Sequence, residues 1–419
     1  MSTAKSTPSA SYAKFSPFNR PIRGQSGRAD GGSDPHSGPQ SDPNLPRSVY
    51  DAHFDMLRAA LIGFGSSGKT TLFQLMTSAR ETGRAAHGKG ETSIGISKVP
   101  DARLDRLTAM YNPRKHVPAT VEFTDLAMPG GSGGAQALVD VAAYKNADAL
   151  VHVLRAFQDP SVPHPSGSID PARDAQAMED ELILADLGVA ERRLERLEKD
   201  LKKGRTSELE RERDVITLCR AALEDGRPLR ALDLKGEDLK RLRGFQFLSA
   251  KKLLIVINLD ESQLAQGGID RAADAAGLTP FLSRAGTAAA AVCAKIELEI
   301  AQLDAADAAA FLADLGLAQS GLARVIRASY DLLGYISFFT VGEDENRAWS
   351  IPRHTTAQVA AGEIHSDIAR GFIRAEVVGY EALVTRGSMA ACREHGEVRL
   401  EGKEYIVQDG DIINFRFAT

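Results

Sequence analysis

The stretch "LRAALIGFGSSGKTTLFQLM", residues 57–76, decides how this chain is read. Gly63 to Thr70 spell G-F-G-S-S-G-K-T, which fits the G-x-x-x-x-G-K-[ST] pattern of a phosphate-cradling loop. Its glycines let the backbone curl so that successive N–H groups point inward at an anion. The apolar run from Leu57 to Gly63 is expected to be a buried strand, and "KTTLFQLMTSA" the helix whose N-terminus receives phosphates. Lys69 then belongs against the β- and γ-phosphates, and the Thr70 hydroxyl on Mg²⁺.

Composition sets the limits around this loop. The chain has 419 residues, 43% hydrophobic and 26% charged, which is ordinary for a soluble globular protein of two or three domains. No apolar run approaches a membrane span and the start lacks the apolar core of a secretory signal, so a cytoplasmic protein is expected. Cys219, Cys293 and Cys392 match no zinc or C-x-x-C spacing and read as reduced thiols; the nine histidines show no metal-binding spacing either. With a net charge of -5, any nucleic-acid contact needs a local basic patch. Neither DNA nor a membrane is expected as a partner.

Residues 1–55 are rich in Ser, Pro and Gly and read as a disordered tail. Its first 29 residues carry basic but no acidic side chains, as organelle transit peptides do, although Pro8, Pro17 and Pro21 interrupt any amphipathic helix. After the loop, "TVEFTDLA" (120–127), "ALVHVLRAF" (149–157) and "KLLIVINLD" (252–260) read as buried strands alternating with helices. That alternation predicts an α/β fold, a doubly wound and mostly parallel sheet with ligands at the strands' carboxyl ends. The sheet is expected over 56–180 and 250–334. Between these, residues 181–249 carry a helical seam: Ile183, Leu187, Ala190, Leu194, Leu197 and Leu201, broken at Gly204, with Leu209, Ile216 and Leu223 continuing on a second helix. Lys199, Lys202, Lys203 and Arg205 make the tip of this hairpin basic, a pattern open to RNA phosphates and equally to i,i+4 pairing of Glu195 with Lys199 and Glu198 with Lys202. Residues 335–419 change to short strands around a helix, a small α+β domain in which "EGKEYIVQDGDIINFRF" reads as a hairpin turning at Asp-Gly.

The remaining parts of a nucleotide site follow in order. Asp125 closes a strand where a carboxylate would hold the metal's water shell. In "IVINLDE", Asn258, Leu259 and Glu261 form N-x-x-E where guanine-specific proteins carry N-K-x-D. Guanine offers N1–H and N2–H side by side to the Asp; adenine offers an unprotonated N1 that would repel it. A carboxylate one methylene further out disrupts the guanine geometry and leans the reading towards ATP, with Asp260 a competing carboxylate in the wrong register. Cys293, Ala294 and Lys295 stand where a loop's N–H groups and a Lys stem can pack on the base.

Taken in order, GFGSSGKT, "VPDARLDRL", "VPATVEFTDLA", "DELILADL", NLDE, "CAKIELEI", "FLADLGL" and the ending "AAGEIHSDIARGFIRAEVVGYEALV…LEGKEYIVQDGDIINFRF" resemble the Obg-like ATPase (YchF) family over about residues 57 to 419. The resemblance implies a P-loop G domain, a coiled-coil insert and a C-terminal TGS domain of ubiquitin-like fold. It further implies ATP preference, Mg²⁺ dependence and association with the ribosome, its RNA, or the translation and stress machinery. Gly65, Ser66, Ser67, Gly68, Lys69, Thr70 and Thr71 match its phosphate loop, Thr70 its Mg²⁺ ligand, Asn258, Leu259 and Glu261 its base motif, and Cys293-Ala294-Lys295 its S-A-K.

Three departures from the family bear on hydrolysis. After Asp125 the family's D-I-A-G becomes Asp125-Leu126-Ala127-Met128, with Gly130 and Gly131 displaced. The segment that follows is shorter, and Met128-Pro129 supplies no polar group to orient a water. In the first switch Lys89 stands at the family's Mg²⁺-sensing Thr, leaving Thr92, three residues later, as a substitute metal ligand only if the loop takes another path. The sequence therefore predicts an ATP-binding P-loop protein with slow Mg²⁺-dependent ATP hydrolysis, in which Lys69 and Asp125 are the catalytic candidates. A hydrolysis-poor nucleotide-binding scaffold and a GTPase are the alternatives.

Overall fold

A computed structural model of the chain describes residues 57–77, 92–126, 142–234, 236–265 and 268–418. The tail expected over 1–55 and the departures at Lys89 and from Met128 to Gly131 lie outside the described residues. The strands are β1 (Arg58–Ile62), β2 (Thr92–Lys98), β3 (Lys115–Val117), β4 (Thr120–Leu126), β5 (Ala149–Arg155), β6 (Lys252–Asn258), β7 (Thr287–Val292), β8 (Tyr335–Thr340), β9 (Glu345–Pro352), β10 (Phe372–Gly379), β11 (Arg399–Glu401) and β12 (Asp411–Phe417).

The first sheet runs β2-β4-β1-β5-β6-β7, parallel throughout except that β2 lies antiparallel to β4. Its strands read as continuous apolar runs because both faces are covered. Leu61, Val151 and Val256 pack with Leu72 and Phe73 of helix α1 (Lys69–Thr77) on one face. On the other, Ile62, Leu150 and Ile255 pack with Tyr144, Met178 and Leu182. The chain adds strands on one side of β1 and then, from β5, on the other, so the order reverses beside the phosphate loop. Such a reversal opens a crevice at the strands' carboxyl ends.

The helical seam forms an antiparallel pair, Pro171–Lys203 and Ser207–Glu224. Asp170 caps the first helix and Gly204 ends it; Thr206 Oγ1 accepts from Leu209 N–H at 3.2 Å to start the second. Ile183, Ala190 and Leu194 bury against Val215, Ile216, Cys219 and Leu223, and Leu197 is buried further along the same helix. Neither Glu195–Lys199 nor Glu198–Lys202 is an ion pair of the described residues. Arg193 instead makes a two-pronged bond to Glu212 across the hairpin, at 2.7 and 2.8 Å.

The second sheet runs β11-β10-β12-β8-β9-β3 around the helix Ala357–Ile364, whose Ala357, Ala360 and Ala361 pack on Ile336, Phe338, Ile351 and Phe415. Its last strand, β3, comes from the first part of the chain and pairs parallel with β9, Lys115 to Val117 beside Glu345 to Arg347. The hairpin read in "EGKEYIVQDGDIINFRF" is not formed: β11 and β12 both pair with β10, which lies between them. The Asp-Gly turn is used otherwise, since the Asp409 carboxylate accepts from Ser337 N–H and from Arg103. A charged turn held from both sides need not close a two-stranded ribbon.

Candidate nucleotide site

The loop after β1 turns into α1 with Lys69 as the first helical residue. Gly68 takes a φ of +89°, and a Cβ there would lie 2.4 Å from Asn258 Nδ2, so a side chain is excluded both by backbone and by space. Gly63 is equally confined: a Cβ would stand 2.7 Å from the Val153 carbonyl oxygen. These two contacts seat the loop on β5 and β6.

Lys69 and Asp125 meet at the base of the loop. Lys69 Nζ donates to Asp125 Oδ1 at 3.0 Å, with both side chains buried. The end of β4 thus delivers its carboxylate to the lysine of the G-x-x-x-x-G-K-[ST] loop. Thr70, next along, is exposed. The strand register sets Ser93 opposite Asp125 and Thr92 opposite Leu126, which brings the backbone of Thr92 beside the same strand end.

Asn258 does something the base motif alone does not require. It is 2% exposed, its Nδ2 donates to the Ser67 carbonyl and its Oδ1 accepts from Ala294 N–H, both at 3.0 Å. One side chain therefore fastens the phosphate loop to the loop after β7. Asp260, the competing carboxylate, is occupied: it accepts from Ser262 Oγ at 2.6 Å and Gln263 N–H at 3.1 Å, capping the short helix Glu261–Ala265. Glu261 is left at the pocket rim, 3.6 Å from Lys295 Nζ across an exposed ion pair. Burial pushes the Cys293 thiol up, so it stays protonated and packs as an apolar group.

Asn258, Asp260, Glu261, Ala294 and Lys295 line a pocket of about 800 Å³ together with Gly68, Thr71, Phe157 and Leu298. Its far wall was not read from the sequence. Behind Phe157, Arg155 ends a strand that is apolar but for His152 and donates to the carbonyls of Phe157 at 3.2 Å and Val162 at 2.8 Å, with its guanidinium 4.6 Å from the Phe157 ring centre. A cation closing a buried strand was the available signal. Behind the loop, Ser166 N–H donates to His164 Nδ1 at 3.1 Å, which leaves Nε2–H for Asp174 Oδ2 at 3.0 Å. This pair borders a small space shared with Gly65 and Ser67, and no spacing in the sequence pointed to it.

The arrangement agrees with what is found among known proteins. The chain is 40% identical over 366 residues to "Ribosome-binding ATPase YchF" of Bacillus subtilis, covering 86% of this chain and 99% of that protein. The chain belongs to the YchF family of Obg-like ATPases. It is also 32% identical to "Obg-like ATPase 1" of rice, over 88% of this chain and 94% of the relative. The family model YchF-GTPase_C, described as "Protein of unknown function (DUF933)", matches residues 335–418. Among solved structures, that of the Schizosaccharomyces pombe YchF GTPase superposes with a TM-score of 0.73 at 27% identity, covering 86% of this chain and 97% of that one. The YchF resemblance read from the motifs holds, and with it the P-loop G domain and the appended C-terminal domain. Among the described residues no helix is long and apolar enough to cross a membrane, and no group of three or more His, Cys, Asp or Glu could hold a metal ion by itself.

Proposed function

We propose that the chain binds Mg²⁺·ATP in this pocket, hydrolyses it slowly, and acts as a ribosome-associated switch. The observation that carries the reading is the convergence of the Lys69–Asp125 pair, the exposed Thr70 and the Asn258 bridge at one crevice. The residues fit a metal-bound triphosphate: a hydroxyl and a carboxylate next to a lysine supply hard oxygen donors and a countercharge, though too few to hold a cation without the nucleotide. Mg²⁺, held through Thr70 and, by water, Asp125, would neutralise charge on the phosphates. Lys69 and the loop amides from Gly65 to Thr71 would bind the phosphate oxygens and stabilise the charge that grows as the bond breaks. Lys69 would exchange part of its bond to Asp125 for that task. Leu259, Ala294 and the Lys295 stem would cover the base, and Glu261 would disfavour guanine.

The relatives named as ribosome-binding ATPases support ATP and the ribosome as partners; the fission-yeast protein named a GTPase keeps guanine nucleotides in the test. The apolar Met128-Pro129 after Asp125 favours a low rate. The experiment is Mg²⁺-dependent binding and single-turnover cleavage of ATP and GTP by the full chain, with Lys69→Ala as control. ATP cleavage lost in the control supports the reading, whereas tight ATP binding without cleavage makes the chain a nucleotide-sensing scaffold. Gradient sedimentation with ribosomes, with and without reversal of Lys199, Lys202 and Lys203, tests the partner and the hairpin tip separately.

A further inference from the structure

At the other end of the first sheet, the strand starts and the root of the helical insert enclose a second cleft of about 910 Å³, larger than the nucleotide pocket. Lys252 opens β6 and Asn258 closes it, so the two spaces lie at opposite ends of the same strand. One wall is formed by the starts of β1 and β6 and the turn at residues 145–148; the other by residues 229–234 and 239–247; Leu333 and Tyr335 close the floor. The volume suits a small molecule.

Its charge is one-sided. Six lining side chains are cationic and one, Asp148, is a carboxylate. Arg58 and Arg230 are offset by Glu122 and Glu179. Lys251 Nζ donates to the carbonyls of Lys145 and Ala147 at 2.8 and 2.5 Å, and Lys252 Nζ to that of Leu332 at 2.7 Å. Carbonyl oxygens satisfy the donors without bringing a negative charge. The Lys145 and Arg243 side chains form no ion pair among the described residues. Burial holds both Lys251 and Lys252 below the ordinary lysine range, for Lys251 against the opposing pull of Asp148 and Asp186.

Facing these cations is an apolar wall of Leu232, Leu239, Leu242 and Phe247, with Leu239 47% exposed at the mouth. The two walls are joined by Gln246, whose Nε2 donates to Asn146 Oδ1 at 3.2 Å from a left-handed backbone at φ +51°. A non-glycine residue is held there only where its surroundings require it. We propose that this cleft binds an amphipathic anion: a small molecule whose phosphate, sulfonate or carboxylate head lies among Lys145, Arg243 and Lys251 and whose apolar or aromatic body lies along Leu239, Leu242 and Phe247.

The test is titration of the full chain with anilinonaphthalene sulfonate, followed by fluorescence, with saturating Mg²⁺·ADP to occupy the phosphate loop. One saturable site is expected. Lys145→Glu with Arg243→Glu, and separately Leu239→Glu, should each weaken it at least roughly tenfold. Both Leu239 and Arg243 are exposed, so these changes leave the fold in place, which thermal unfolding checks. Reversal of Lys199 and Lys202 at the hairpin tip should change nothing. Dodecyl phosphate should displace the probe, and neither dodecanol nor inorganic phosphate should. Absent binding, binding that survives both variants, or equal displacement by dodecanol overturns the proposal.

Discussion

Asn258→Ala separates a side chain that reads a base from one that builds the site. The amide makes two bonds of 3.0 Å, to the Ser67 carbonyl and from Ala294 N–H, in a position that is 2% exposed. Truncation leaves both backbone groups without their partner, at about 1–3 kcal/mol each when fully buried. Both flank the open pocket, where water can replace part of the loss, so about 2–4 kcal/mol is expected in urea unfolding. If about 2 kcal/mol of this falls on the seating of the phosphate loop, a fluorescent ATP analogue should bind roughly thirtyfold more weakly, and GTP should weaken in proportion. Gly68→Ala attacks the same contact from the other side, because its Cβ would lie 2.4 Å from Asn258 Nδ2. The two changes should therefore be less than additive when combined. Binding by Asn258→Ala within threefold of wild type, or strictly additive effects of the pair, would refute the idea that Asn258 holds the loop.

Glu261→Asp should raise GTP affinity relative to ATP, measured by competition titration; an unchanged ratio would remove Glu261 from base selection. Asp186 accepts from Leu248 and Ser249 N–H at 2.8 and 2.7 Å, yet burial, only partly offset by bonds to Ser249 and Leu248, pushes its carboxyl up to about 6. The unfolded chain therefore releases this proton near 3.8 and the folded chain near 6, so stability from this group is full below the first value and falls by about 3 kcal/mol through the second. Asp186→Asn should flatten that part of the urea stability profile between pH 4 and pH 7, and a profile identical to wild type would contradict it. Arg103→Ala removes the guanidinium shared by Asp101 and Asp409, at 2.7–3.2 Å, and leaves Asp409 without its charged partner. Calorimetry should then show the C-terminal sheet unfolding ahead of the first, at an expected cost of about 2–4 kcal/mol.

The parts of this fold that were legible in the sequence are those fixed by local chemistry. The phosphate loop announces itself because only glycine meets the constraint at Gly68, and the strands because burial on both faces demands unbroken apolar runs. Asp260 illustrates the opposite case: N-x-x-E spacing cannot say which of two adjacent carboxylates is spent on a helix cap, and the Ser262 and Gln263 bonds decide it. The partners of Arg155 and of the His164–Asp174 pair were not legible for a related reason, since they are main-chain carbonyls or a residue on another element. The misread hairpin has the same origin. Alternation with an Asp-Gly turn is compatible with pairing to any neighbour, and here β10 intervenes because Asp409 is drawn to Arg103 and Ser337.

Those long-range contacts also bear on how an occupied loop would be felt elsewhere. The first turn of the long helix Pro171–Lys203 carries Asp174, whose carboxylate meets His164 behind Gly65 and Ser67. The C-terminal sheet is rooted just as closely: β2 begins beside the end of β4 and, through Val99 N–H on the Ala119 carbonyl, leads to Asp101, which caps helix α2 (Ala102–Tyr111). Asp101 is gripped by Arg103 and Arg327, and Arg103 reaches Asp409. Past α2 the chain enters β3, the edge strand of the second sheet. A shift of β2 along its own axis thus cannot be absorbed in a flexible linker, because it pulls on a charged clasp at one end of α2 and on a paired strand at the other. The C-terminal sheet is thus tied to β2 at both ends of α2, through the Asp101–Arg103–Asp409 clasp and through β3.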